Sequence, residues 1–267
     1  MNRFQSIFLP ALIAVVLGYA ATVSAAPVLY SVRSNANDHL YSIDAATGVA
    51  TDLGALTFGD AEGLAFVGST LYAIGGTDDQ FWNITTPPGT LVGATGARTG
   101  IDAGLDYNRV TGTMYNYNAE SNSGALYTIN LATGAATLVG SNNTYADGLA
   151  IDSGGLAYAA NGTTLYSIDL ATAAATVIGS LGLGNSGVQV GLTFGDDDLL
   201  YAIASDGALY TVNTATGAAT LAANITCEGI ACAGWEGLAT QSAAPEPGTL
   251  ALLGAALLGL GMRRRVQ

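Results

Sequence analysis

Lysine is absent from this sequence, histidine occurs once, at His39, and cysteine twice, at Cys227 and Cys232. Of the seven arginines, Arg3 stands near the start and Arg263, Arg264 and Arg265 at the end, which leaves Arg33, Arg98 and Arg109 to face nearly all of the 20 acids. So acidic a body argues against nucleic acid as a partner, because phosphate backbones are held by clustered cations. A serine triad would have to use His39, and no serine motif accompanies it. Two thiolates and one histidine make a poor zinc site. Helical periodicity is nearly missing, and the 36 glycines suit many short strands joined by turns. The run Leu181 to Gly187 does not open a helix after a strand, so it fails as a dinucleotide loop and reads as a connection.

What the chain does contain is a repeat. Tyr30, Tyr72, Tyr115, Tyr158 and Tyr201 return every 42 or 43 residues, each in a strand-like run. A second aromatic strand follows each of them (HLYSID, QFWNIT, ALYTIN, TLYSID, ALYTVN), then a strand of small residues. Before the last four copies a further strand opens with Gly63-Leu64, Gly104-Leu105, Gly148-Leu149 and Gly191-Leu192. Four short strands in a period of about 40 to 45 residues predict a propeller blade. The first copy lacks its Gly-Leu strand, and the missing piece appears at the other end as Trp235 to Thr240. Paired into the first blade, it closes the ring and hides two sheet edges. The expected fold is all-β: a five-bladed β-propeller over residues 27–241 closed by this C-terminal strand. A six-bladed ring and an open solenoid are the alternatives. Asp44–Gly48, Asn130–Gly134 and Asn213–Gly217 read as hairpin turns, with Ala174 standing where blade four should have its glycine.

Both ends read as addresses. Residues 1–26 have the charged, apolar and small-residue regions of a secretory signal peptide, which implies the Sec machinery and signal peptidase as partners. Residues 242–247 form a linker ending in Pro245-Glu246-Pro247, and residues 248–267 an apolar helix with the basic tail Arg263-Arg264-Arg265. This order closely resembles the PEP-CTERM sorting signal of Gram-negative bacteria. The resemblance implies recognition by exosortase, membrane contact through the C-terminal helix before processing, and a link with exopolysaccharide and biofilm matrix. The apolar stretch is short for a full span of about 20 residues, and the arginines would hold its end on the cytoplasmic side. The body is also similar to the propellers with LYSIDLATGAATLVG-type repeats of secreted bacterial proteins, a likeness that implies a fold more than an activity.

Candidate chemistry lies just before the Gly-Leu strands, which are innermost in a propeller and meet at the axis. The positions are Glu236, Glu62, Ala103, Asp147 and Val190, with Asp102 and Gln189 one residue earlier where the acid is lacking. Glu62, Asp147 and Glu236 would raise one another's pKa or recruit Ca2+, which accepts oxygen ligands in a loose cage. The Glu-Gly pairs at Glu62 and Glu236 resemble the metal-binding glutamate of gluconolactonase-type propellers. That resemblance implies a calcium-dependent lactonase as the alternative function. Cys227 and Cys232 are expected to form a local disulfide. Asp196-Asp197-Asp198 reads as a solvated turn between strands. Phe81, Trp82, Tyr117, Tyr145 and Trp235 are less regular aromatics that could stack on sugars. The function expected is that of an exported, non-catalytic surface or matrix propeller that binds polysaccharide or another envelope component.

Overall fold

In each blade the repeated tyrosine lies on the second of four antiparallel strands. The computed structural model describes residues 26–34, 38–76, 79–97, 102–120, 123–183 and 189–241. From the inside outward, the first blade comprises β22 (Trp235–Thr240), β1 (Val28–Arg33), β2 (His39–Asp44) and β3 (Val49–Ala55). The second is β4 (Ala61–Val67), β5 (Thr70–Gly75), β6 (Gln80–Asn83) and β7 (Thr90–Ala94). The third is β8 (Asp102–Asn108), β9 (Thr113–Glu120), β10 (Ser123–Ile129) and β11 (Ala136–Asn142). The fourth is β12 (Gly148–Ile151), β13 (Ala157–Ala160), β14 (Thr164–Ile168) and β15 (Ala175–Ser180), and the fifth β16 (Val190–Phe194), β17 (Leu200–Ala204), β18 (Ala208–Val212) and β19 (Ala219–Asn224). The five-bladed ring is thus the architecture, and β22 pairs with β1 as its closing strand. The terminal helices, and the part of the Leu181–Gly187 connection from residue 184 onward, lie outside the described residues.

Five apolar cores sit between neighbouring blades, one for each junction. The repeated tyrosines take part in them. Tyr30 meets Phe66 of the next blade's inner strand edge-on at 5.0 Å, and Tyr158 meets Phe194 at 5.5 Å. In every blade the pairing of the third and fourth strands shifts register beside the aromatic of the third strand, at Tyr41, Trp82, Tyr127, Tyr166 and Tyr210. Such a bulge adds twist, which lets a four-stranded sheet turn from the axis to the rim.

The turns carry their chemistry as read. Asp44 Oδ1 accepts from Ala46 N and Thr47 N, and Asn130, Asp169 and Asn213 repeat the pattern. One position differs: Ala173, not Ala174, takes the place of the glycine, with φ +63° beside +74° to +80° at Gly48, Gly134 and Gly217. The side chain of Asp169 holds the turn closed although alanine is strained there. Asp196–Asp198 is the turn between β16 and β17, where Asp197 Oδ1 accepts from Leu199 N and Oδ2 from the Tyr201 hydroxyl. His39 begins β2.

The disulfide Cys227–Cys232 is formed. It closes a small hairpin of β20 (Thr226–Cys227) and β21 (Ile230–Ala231), and β20 pairs in parallel with β3 at Val49 and Ala50. The hairpin therefore covers part of the first blade's outer edge.

Candidate functional site

The Gly-Leu pairs exist because the inner strands approach one another backbone to backbone. A Cβ on Gly63 would lie 2.6 Å from Ala103 O and 2.8 Å from Leu105 N, and one on Gly191 2.6 Å from the Gly237 carbonyl carbon. Gly104 and Gly148 are closed in the same way by the inner strand of the next blade. The five pairs leave an axial cavity of only about 10 Å³, lined by Glu62, Asp147 and the Gly-Leu residues. That is room for about one water molecule.

Because all inner strands run in the same direction, the residues at their starts gather at one mouth of this plugged axis. Glu62 is 7 % exposed and shares a hydrogen bond with Glu236. Two carboxylates can share one only if a proton lies between them. Burial, then the charge of Glu236, pushes Glu62 up; burial and Asp102 push Glu236 up. Asp147 rises to about 7, chiefly through burial and then through Asp102, although the Tyr145 hydroxyl and Val190 N nearby act in the opposite direction. Asp102 accepts hydrogen bonds from the Tyr145 hydroxyl at Oδ2 and from Gln189 Nε2 at Oδ1. Asp60 and Asp38 add to the field on Glu236.

Glu62, Asp147 and Glu236 are therefore brought to one place, with Asp102 and Gln189 in the blades that lack an acid at the next position. Ala103 and Val190 are buried instead. Among the described residues no group of three or more histidine, cysteine, aspartate or glutamate side chains stands ready to hold a metal ion. Calcium binding here would require Glu62 to release its proton and the carboxylates to regroup around the ion.

The aromatic candidates divide. Phe81, Tyr117 and Trp235 are fully buried in the inter-blade cores and present no face to a sugar. Trp82 is stacked on Phe58 at 4.3 Å. Tyr145 is half-buried at the acidic mouth, committed to Asp102. Near the other end of the inner strands, Asp106 accepts from Ile151 N at 2.6 Å and from Tyr107 N at 2.7 Å. Burial raises Asp106 to about 6. It ties β8 to β12, a role that its place after Gly104-Leu105 did not suggest.

Beyond the propeller, a stretch of the C-terminal residues matches a family model. Residues 243–265 carry a PEP-CTERM protein-sorting motif. A PEP-CTERM tail implies processing by exosortase and export to the cell envelope or surface of a Gram-negative bacterium. No curated protein matches the sequence. Among solved structures, a chain of a nidogen/laminin complex is similar over 82 % of this chain and 87 % of its own, at 13 % identity and a TM-score of 0.51. A catalytically inactive virginiamycin B lyase from Staphylococcus aureus, solved with quinupristin, is similar over 74 % and 71 %, at 14 % identity and 0.45. A protein of unknown function from Bacteroides thetaiotaomicron is similar over 71 % and 56 %, at 16 % identity and 0.44. At such identities the likeness is one of fold.

Proposed function

We propose that this protein is a non-catalytic propeller of the cell surface or extracellular matrix that binds polysaccharide there. The observation that carries the reading is the PEP-CTERM motif at residues 243–265 following a five-bladed propeller body. Among the described residues the axial cavity lined by Glu62 and Asp147 is about 10 Å³, small beside the some hundreds of Å³ of a small-substrate site. The test is fractionation of cells carrying the full chain or a chain lacking residues 243–265, with matrix polysaccharide collected by sedimentation. The full chain is expected with the envelope and its polysaccharide, and the shortened chain to lose the envelope while still sedimenting with polysaccharide. A full chain that never sediments with polysaccharide defeats the reading.

The gathering of Glu62, Asp102, Asp147 and Glu236 favours one second reading, a calcium-dependent hydrolase of lactonase type. It requires millimolar calcium to raise the melting temperature, and a Glu62→Gln/Glu236→Gln variant to lose the rise. No shift would remove its support.

A further inference from the structure

The disulfide hairpin leaves a groove beside the outer strands of the first blade. Its volume of about 730 Å³ lies within the range of small-ligand sites. Tyr41, Thr51 and Asp52 line one side, Glu228 and Ile230 the hairpin side, and Arg33 completes it. Arg33 is anchored: its Nε donates to Ala233 O at 2.7 Å, and Nη1 lies 4.0 Å from Cys227 Sγ. Among the described residues the ion pair found is His39 with Asp52, at 2.9 Å, and no carboxylate stands within ion-pair distance of Arg33. In a chain with seven arginines and 20 acids, a guanidinium that no carboxylate of the described residues approaches to ion-pair distance keeps donors for an incoming acid. His39 is the cross-strand partner of Arg33, so two of the body's few basic groups are neighbours here.

We propose that this groove binds a carboxylate-bearing sugar, a uronic-acid residue of an acidic polysaccharide. Arg33 pairs with the carboxylate, while Thr51, Asp52 and Glu228 meet hydroxyl groups. The proposal rests on the polysaccharide-binding reading and names its ligand class and site. One cation beside two acidic acceptors matches a monoanion rich in hydroxyl donors. A phosphate dianion would bring a second charge against Asp52 and Glu228. The acidity of the body as a whole does not forbid this, since charges are screened over about 8 Å at physiological salt.

Calorimetric titration of the full-length protein in mild detergent with trigalacturonate, its methyl ester and inorganic phosphate tests the proposal. Trigalacturonate should bind at least tenfold tighter than the ester. Arg33→Gln should weaken it at least tenfold while the protein still unfolds in one cooperative transition, and Glu228→Gln should tighten it about twofold. Equal binding of the ester, an unaffected Arg33→Gln, or phosphate binding as tightly as the trimer overturns the proposal. If Arg33→Gln does not fold, Glu228→Gln decides, and unchanged affinity overturns it. Retention of matrix polysaccharide by an Arg33→Gln protein would sink the groove and leave the proposed function standing. Arg33-dependent binding of the trimer without retention of polysaccharide would do the reverse.

Discussion

Asp147 shows how the environment of one residue reverses the usual pH dependence of a carboxylate. Its pKa is raised from 3.8 to about 7 by burial and by Asp102, so the folded protein holds a proton that the unfolded chain releases. Above pH ~4 the unfolded state therefore gains relative to the folded one, and stability falls until the pH passes about 7. Glu62 and Glu236 are shifted in the same direction. Thermal or urea unfolding should show the protein more stable at pH 5 than at pH 8 by about 2 kcal/mol or more, each pKa unit being worth about 1.4 kcal/mol. The Glu62→Gln/Glu236→Gln variant should flatten that slope. A slope of opposite sign would mean that the carboxylates are paired with a cation instead. The offset of these acids from the Gly-Leu pairs was legible in the sequence. The proton shared by Glu62 and Glu236, and the capture of Asp102 by Tyr145 and Gln189, were not, because those partners come from different blades.

At the level of elements, the inner strands carry the tightest requirement. Gly63 lies on β4 where its missing side chain admits the backbone of β8, and adding a methyl group forces Ala103 and Leu105 apart. Gly63→Ala is expected to cost about 1 to 3 kcal/mol, as overpacking does. Gly59→Ala, in the loop before the same strand with nothing within 4 Å, should change stability by less than about 0.5 kcal/mol. Equal melting temperatures for the two variants would refute close packing of the inner strands. Repetition made the Gly-Leu pairs visible at sequence level, since the same residues recur at the same phase in each copy. The pairing of β20 with β3 had no such signal. Two-residue strands show no alternation, and parallel pairing here joins segments far apart in the chain.

For the whole molecule, closure is the decisive event. β22 supplies the inner strand of the first blade, and Trp235 fills the core between the first and fifth blades, with its Nε1 donating to Cys232 O at 3.0 Å. Deleting residues 235–241 exposes the inner edge of β1 and strips that core. Such a chain should elute as aggregate in size-exclusion chromatography and lose cooperative unfolding. A monomer that still melts sharply would show that the ring does not depend on its closing strand.

By itself the sequence pointed to five blades with six as the alternative, to the strand that closes them, to the disulfide and to the sorting tail. Each is written either as a repeat or as a local pattern a few residues long. Only the tertiary structure decided that the axis is plugged, that Phe81, Tyr117 and Trp235 are core, and that a groove forms around Arg33. Those facts depend on which blade faces which, and they join residues distant in the chain, such as Arg33 and Ala233, whose proximity no periodicity records.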